Sequence, residues 1–253
     1  MSATTLRRYP PPCPDPVVEE TMPMPQPETR FEIGLLTFEG VQQLDLTAPY
    51  EVFASMRHAR VHLVGLNRAT VTSATGLPLT PTTDLADCPD LDLLCVPGGI
   101  GVNALMTNVA VLDFIRRQAE RPILVTSVCT GALVLGAAGL LKDKRATTHW
   151  GALDLLAAFG AIPVDARIVR DGRIITGGGV TAGLDFALAV VADLAGRMEA
   201  ETIQLALEYA PAPPFSAGHP DTASPEVVAA ARLRFAASRA AREEIIASLT
   251  ETK

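Results

Sequence analysis

The sequence predicts an α/β fold in which a mostly parallel sheet is sandwiched between helices, with a nucleophile elbow at Cys129. Three observations predict it. Short apolar, β-branched runs alternate with longer helical stretches, the pattern of buried parallel strands joined by crossover helices. In Ile123-Leu-Val-Thr-Ser-Val-Cys-Thr-Gly-Ala-Leu-Val-Leu-Gly-Ala-Ala-Gly-Leu-Leu141, the segment Ile123 to Val128 reads as a buried strand and Gly131 to Leu141 as a small-residue helix, which puts Cys129 on the turn. Such a turn aims one side chain into the crevice at the C-terminal edge of the sheet, where open α/β sheets bind ligands. Gly131 removes a side chain that would crowd the turn, and Gly136 and Gly139 let the helix lie close to the sheet. The third observation is Asp45, which follows the first strand and so reaches the same rim.

Residues 1–30 carry eight prolines between Pro10 and Pro27, which suits an extended arm outside the core. Phe31 to Phe38 reads as a central first strand ended by Glu39-Gly40. Thr47 is placed to cap a helix holding Pro49 and Glu51 in its early turn, with Asp45 just ahead of it. Arg60 to Asn67 is a second strand and Val71 to Thr83 a hairpin around Gly76-Leu-Pro78. Leu91 to Val96 is a third strand, and a helix covers Val109 to Glu120. Between them, Pro97-Gly-Gly-Ile-Gly101 lacks the endings of a P-loop or dinucleotide fingerprint, so its glycines read as a tight turn or as backbone N–H groups approaching a small ligand. Ala146-Thr-Thr-His-Trp150 ends a strand before a helix over Trp150 to Phe159. Ile162 to Val169 and Arg173 to Thr176 form a hairpin, with Asp171-Gly172 supplying the positive φ angles. Gly177-Gly-Gly179 opens an apolar helix through Ala195, and Met198 to Tyr209 continues helically. A Pro-rich loop leads to an amphipathic helix over Glu226 to Leu249, with Arg and Glu on its exposed face. The expected organisation is an arm over 1–30, an α/β domain over 31–210, and a loop and helix over 211–253 packed on it.

A chain of 253 residues, 48% hydrophobic, suffices for one large core. Its net charge of −7 and pI near 5.1 argue against nucleic acid or an anionic membrane as partner. The apolar runs are too short and Gly-broken to span a bilayer, and the Pro-rich start has no signal-peptide core, so the cytoplasm is the expected location. Cysteines 13, 88, 95 and 129 show no paired spacing, which points to reduced thiols: Cys13 in the tail, Cys88 in a turn and Cys95 in a core strand.

The order of a rim acid after strand one, a Pro-Gly-Gly turn, and a Cys elbow followed by Thr-Thr-His resembles the ThiJ/PfpI superfamily. Gln42-Gln-Leu-Asp-Leu-Thr47, Thr126-Ser-Val-Cys-Thr-Gly131, Arg145-Ala-Thr-Thr-His-Trp150 and Leu207-Glu-Tyr-Ala-Pro-Ala-Pro-Pro-Phe215 resemble the isonitrile hydratases of that superfamily, from about Phe31 to the C-terminal helix. The resemblance implies a class I glutamine amidotransferase-like (flavodoxin-like) sheet, a homodimer, no metal and no cofactor. It also implies Cys129 as nucleophile, Asp45 as acid partner and Thr130 in support. Two departures separate the chain from other branches. Peptidase-like members carry His directly after the nucleophile, where Thr130 stands here, and many glyoxalase- or chaperone-like members carry Glu where Asp45 stands.

The implied chemistry is hydration of an isonitrile to an N-substituted formamide through a Cys129 thioimidate, with Asp45 delivering the proton. A free thiol with pKa near 8.5 is only slightly ionised at neutral pH, and a helix N-terminus contributes about 0.3–1 kcal/mol, so a further effect is required. An ionised Asp45 would oppose thiolate formation; the useful arrangement is one proton shared between carboxyl and sulfur. By analogy with the superfamily's oxyanion pocket, the backbone N–H groups of Gly99 and Thr130 are expected at the developing charge, while the Thr130 hydroxyl either orients water or the carboxyl or caps its helix. His149 reads as a structural residue at a strand end that is also in range to act at the site. Asp185 reads as structural, accepting bonds from nearby backbone, and Tyr209 with residues 211–215 as a wall of the pocket or of a dimer seam. Competing readings are a glyoxalase- or deglycase-like thiol enzyme acting on 2-oxoaldehydes, and a ligand or redox sensor related to AraC-type regulators, which share the elbow and the Thr-Thr-His-Trp stretch. Those regulators append a DNA-binding domain that the acidic stretch after Ala195 has no room for.

Overall fold

A computed structural model describes residues 30–121 and 123–251. The predicted arm and Cys13 lie outside the described residues. The first half of the chain runs β1 (Phe31–Leu36), α1 (Gln43–Ala54), β2 (Ala59–Gly65), β3 (Val71–Thr72), β4 (Pro78–Leu79), β5 (Thr83–Asp84), β6 (Leu93–Val96), α2 (Val102–Leu105) and α3 (Val109–Glu120). The second half runs β7 (Leu124–Val128), α4 (Gly131–Ala137), β8 (Arg145–Ala146), a 3-10 helix (Trp150–Phe159), β9 (Ile162–Pro163), β10 (Ile168–Asp171), β11 (Ile174–Gly177), α5 (Ala182–Ala195), α6 (Arg197–Ala206) and α7 (Pro225–Glu251).

The main sheet has seven strands in the order β10-β11-β7-β6-β1-β2-β5. Every pairing in it is parallel except β10 with β11 at the edge. β1, β6 and β7 occupy its centre, and Ile33, Leu35, Leu93, Leu94 and Val128 have 0% exposure, as expected for strands covered on both faces. Strand order reverses in the neighbourhood of these central strands, and their C-terminal ends carry Asp45, the Gly98-Gly99 turn and Cys129 to one rim.

Several local expectations are corrected. Asp45 sits in the first turn of α1, which begins at Gln43, so it is within the helix and not ahead of it. Thr47 lies inside α1, where its hydroxyl donates to the Gln43 side chain at 3.0 Å and caps nothing. Helix α4 stops at Ala137, and Gly139 takes φ 84°. Residues 150–159 wind as a 3-10 helix that ends at Gly160 with φ 74°. The single strand expected over 162–169 is broken into β9, which pairs with β8, and β10. In the β10–β11 hairpin Asp171 faces Ile174, so the central pair is Gly172-Arg173, and only Gly172 takes positive φ, at 61°.

The largest correction concerns α7. Its arginines do not all face solvent: Arg242 is buried and Arg239 half-buried. Arg239 donates twice to the Asp154 carboxylate at 2.7 and 3.0 Å and once to Gly151 O at 2.6 Å, while Asn103 Nδ2 of α2 donates to Ser238 O at 3.1 Å. These bonds seat α7 across the 3-10 helix and α2, above the rim. No helix among the described residues is long and apolar enough to cross a membrane.

Candidate active site

Cys129 has φ 54°, a left-handed conformation costly for any side chain bearing a Cβ. The turn is enforced from both sides. The Cys129 N–H donates to Gly178 O at 2.8 Å and to Gly177 O at 3.1 Å, and the Cys129 carbonyl accepts the Thr148 hydroxyl at 2.6 Å. A Cβ at position 131 would lie 1.9 Å from Val96 O, so only glycine permits α4 to leave the turn this close to β6. Cys129 itself is 6% exposed, at the floor of a cavity of about 240 Å³.

Asp45 is fully buried beside it. Its Oδ2 accepts the Gly98 N–H at 3.0 Å, while Oδ1 has no well-directed hydrogen-bond partner among the described residues. The two turns that flank the site are stitched together: Gln42 N–H donates to Gly98 O at 2.8 Å and Gly101 N–H to Gly40 O at 3.1 Å. A Cβ on Gly98 would fall 2.7 Å from Asp45 Oδ2 and 2.6 Å from the Thr130 nitrogen. Gly98 is therefore a residue of the site that sequence reasoning passed over, although it stands inside the quoted Pro-Gly-Gly turn.

Burial pushes the Asp45 carboxyl up to about 7, against smaller opposing pulls from the Cys129 thiol and the Gly98 amide. Burial likewise lifts the Cys129 thiol well above its ordinary range, and the Asp45 charge lifts it further; the Thr130 amide and hydroxyl pull the other way. At neutral pH these shifts leave the thiol protonated and the carboxyl near its midpoint, two neighbouring groups that titrate as a pair. Cys95, on neighbouring β6, is pushed up to about 12 by burial in the core and is a packing residue.

Thr130 precedes α4 but its hydroxyl makes no capping bond to that helix. It accepts the Gly99 N–H at 3.1 Å instead. The Gly99 amide, expected at the developing charge, is thus committed to Thr130, and the Thr130 amide is the one that reaches the sulfur. His149 lines the cavity; burial and the charge of Arg242 hold its imidazole below the ordinary histidine range, so it is neutral. Its Nδ1 accepts the Gly151 N–H at 3.1 Å, which leaves Nε2 carrying the proton as a donor, not as a base. Asp185 and Tyr209 bond to each other at 3.1 Å and to Arg167, outside the cavity's lining. Asp185 therefore accepts from side chains, where backbone donors were expected.

The roof of the cavity comes from α7, which contributes Arg234, Phe235, Ser238 and Arg242. Phe235 packs edge-on to His149 and Trp150, with ring centroids 5.7 and 5.2 Å apart. None of these α7 residues was singled out from the sequence. The available signal was weak: polar residues recurring at helical spacing on a helix otherwise read as solvent-facing.

The DJ-1/PfpI family profile matches residues 32–193. The chain belongs to the DJ-1/PfpI family. Among the similar proteins of this family is an isonitrile hydratase of Pseudomonas putida, 59% identical over 215 residues, covering 85% of this chain and 94% of that one. A solved ThiJ/PfpI family protein from Pseudomonas syringae is 40% identical and superposes with a TM-score of 0.84, covering 91% of this chain and 99% of that one. The HTH-type transcriptional regulator GbdR of Pseudomonas aeruginosa is 28% identical over 181 residues, with 68% of this chain matching 49% of the regulator. The family assignment and the superposition agree with the α/β fold expected from the sequence.

Proposed function

We propose that the protein hydrates isonitriles to N-substituted formamides, with Cys129 as nucleophile, Asp45 as proton donor and Thr130 in support. The likeness to the Pseudomonas putida isonitrile hydratase supports the substrate class. The observation that carries the chemistry is the buried Asp45–Cys129 pair, its carboxyl pushed up to about 7.

The sulfur attacks the terminal carbon of R–N≡C, forming the C–S bond, and the Asp45 carboxyl delivers its proton to that same carbon. The product of this step is the thioimidate R–N=CH–S–Cys129, with Asp45 left as carboxylate. Water then adds to the thioimidate carbon, giving one proton back to Asp45 and one to nitrogen. Collapse of the adduct breaks the C–S bond and releases R–NH–CHO and the thiolate, so one water is consumed and the shared proton is restored. The Thr130 amide steadies charge at sulfur, while Gly99 fixes the Thr130 hydroxyl. His149 and Phe235 wall a cavity that suits a compact apolar R group.

The same reading takes the protein as a cytoplasmic homodimer that acts without metal or cofactor, in which residues 211–253 pack on the 31–210 unit and residues 1–30 form an arm. The direct test is formamide production from cyclohexyl isocyanide by the wild type, Cys129→Ala and Asp45→Asn. Turnover by the wild type and its loss in both folded variants is expected; a folded wild type with no turnover overturns the reading.

A further inference from the structure

Arg242 of α7 is 6% exposed, yet among the described residues no carboxylate lies within ion-pair distance of its guanidinium. Its hydrogen bonds go to neutral acceptors, Nε to Asn103 Oδ1 at 3.0 Å and Nη2 to Ser238 Oγ at 3.3 Å. Taking a permanent cation out of water without an anionic partner is expensive, so a charge in such a position calls for a negative group that it faces. Arg242 and Cys129 line the same cavity. We infer that Arg242 is the counter-charge that favours the thiolate of Cys129 when the pair reacts, a positioning residue delivered from the C-terminal helix. The inference rests on the hydratase reading for its consequence in turnover, but the charge arrangement is independent of the substrate.

The electrostatics of the pair give such a group a role. Burial and Asp45 both work against charge on the sulfur, and the Thr130 amide and hydroxyl pull the other way without offsetting them. A negative Cys129 in turn favours the charged guanidinium, while burial and Arg239 oppose it. The charged or titratable groups around the sulfur are Asp45 from α1, His149 from the segment ahead of the 3-10 helix, and Arg242 from α7. His149 is neutral. Arg234 stands at the exposed edge of the cavity, and Arg239 is engaged with Asp154 and Glu243. That leaves Arg242 as the buried cation of the site among the described residues. The Asn103 and Ser238 bonds fix the guanidinium in place at the wall of the cavity that Cys129 lines.

The experiment is the pH dependence of iodoacetamide alkylation at Cys129 in the full chain, read by peptide mass mapping so that other thiols do not contribute. Arg242→Gln is expected to move the midpoint up by about one unit or more and to slow alkylation at pH 7 about tenfold, with Arg242→Lys restoring most of the rate. A profile of folded Arg242→Gln that superimposes on the wild type overturns the inference. If Arg242→Gln does not fold, Asn103→Ala decides: it keeps the charge but removes its tether, so an upward displacement supports the inference and an unchanged profile overturns it. A shifted profile in an enzyme with no isonitrile turnover would leave the counter-charge standing and remove the substrate reading alone.

Discussion

The floor and the roof of the cavity are built in opposite ways. The floor, from Asp45, Gly98 and Cys129, is held by backbone: a left-handed Cys129, two stitched turns and glycines with no room for a Cβ. The roof, from Phe235, Ser238 and Arg242, is one face of a long helix held by side-chain contacts to Asp154, Gly151 and Asn103. The difference teaches that the position of the nucleophile is set by local chain geometry, while its electrostatic surroundings are set by an element arriving from the far end of the sequence. Floor substitutions should therefore destroy activity through geometry, and roof substitutions should tune it.

The sharpest test of the floor is Gly98→Ala. The added methyl would displace Asp45 Oδ2 or the Thr130 amide, and a misplacement of that size costs about a hundredfold or more in kcat/KM. Steady-state isonitrile hydration and a thermal melt would measure it; near-normal activity would mean that the floor can yield.

Asp45→Asn probes the same floor through stability. A carboxyl at about 7 in the fold, against about 3.8 in the unfolded chain, binds its proton more tightly when folded. Its ionisation therefore subtracts stability progressively between about pH 4 and pH 7, and the full cost persists above that. The wild type should lose stability relative to Asp45→Asn over this window by a few kcal/mol, to be read from denaturant titrations at pH 4, 5.5 and 7.5. A pH-independent difference would break the argument.

On the roof, Phe235→Ala removes the ring that packs on His149 and Trp150. Because Phe235 is half-buried, the expected loss is about 1–2 kcal/mol of stability, with KM raised more than kcat is lowered. The smallest effect belongs to Arg239→Ala. Its Asp154 partner is 66% exposed, so loss of the pair should cost about 1 kcal/mol or less and change hydration kinetics little. A larger kinetic change would show that the seating of α7 controls the site more tightly than floor and roof suggest.

The parts that were legible in the sequence share a physical basis. The β7–Cys129–α4 turn follows from an apolar run, a small-residue run and Gly131; helix α3 was read to its observed ends, Val109 and Glu120, where the Asn108 side chain caps it by accepting the Val111 N–H. The misreadings were also local. Thr47 has the chemistry of a cap but lies one turn too late: α1 starts at Gln43, and its N-cap residue Gln42 donates its N–H to Gly98 O. Gly99 was expected to offer its amide to a ligand, but the neighbouring Thr130 hydroxyl takes it.

By itself the sequence determined the sheet's alternation with helices, the elbow at Cys129 and the arrival of Asp45 at the same rim, because strand and helix periods and glycine turns are properties of adjacent residues. The tertiary structure alone decided that Asp45 is fully buried, that Gly98 holds it, that His149 is neutral, and that α7 brings Arg242 into the cavity that Cys129 lines. Burial and charge depend on which distant groups share a small volume, and no spacing along the chain encodes that distance.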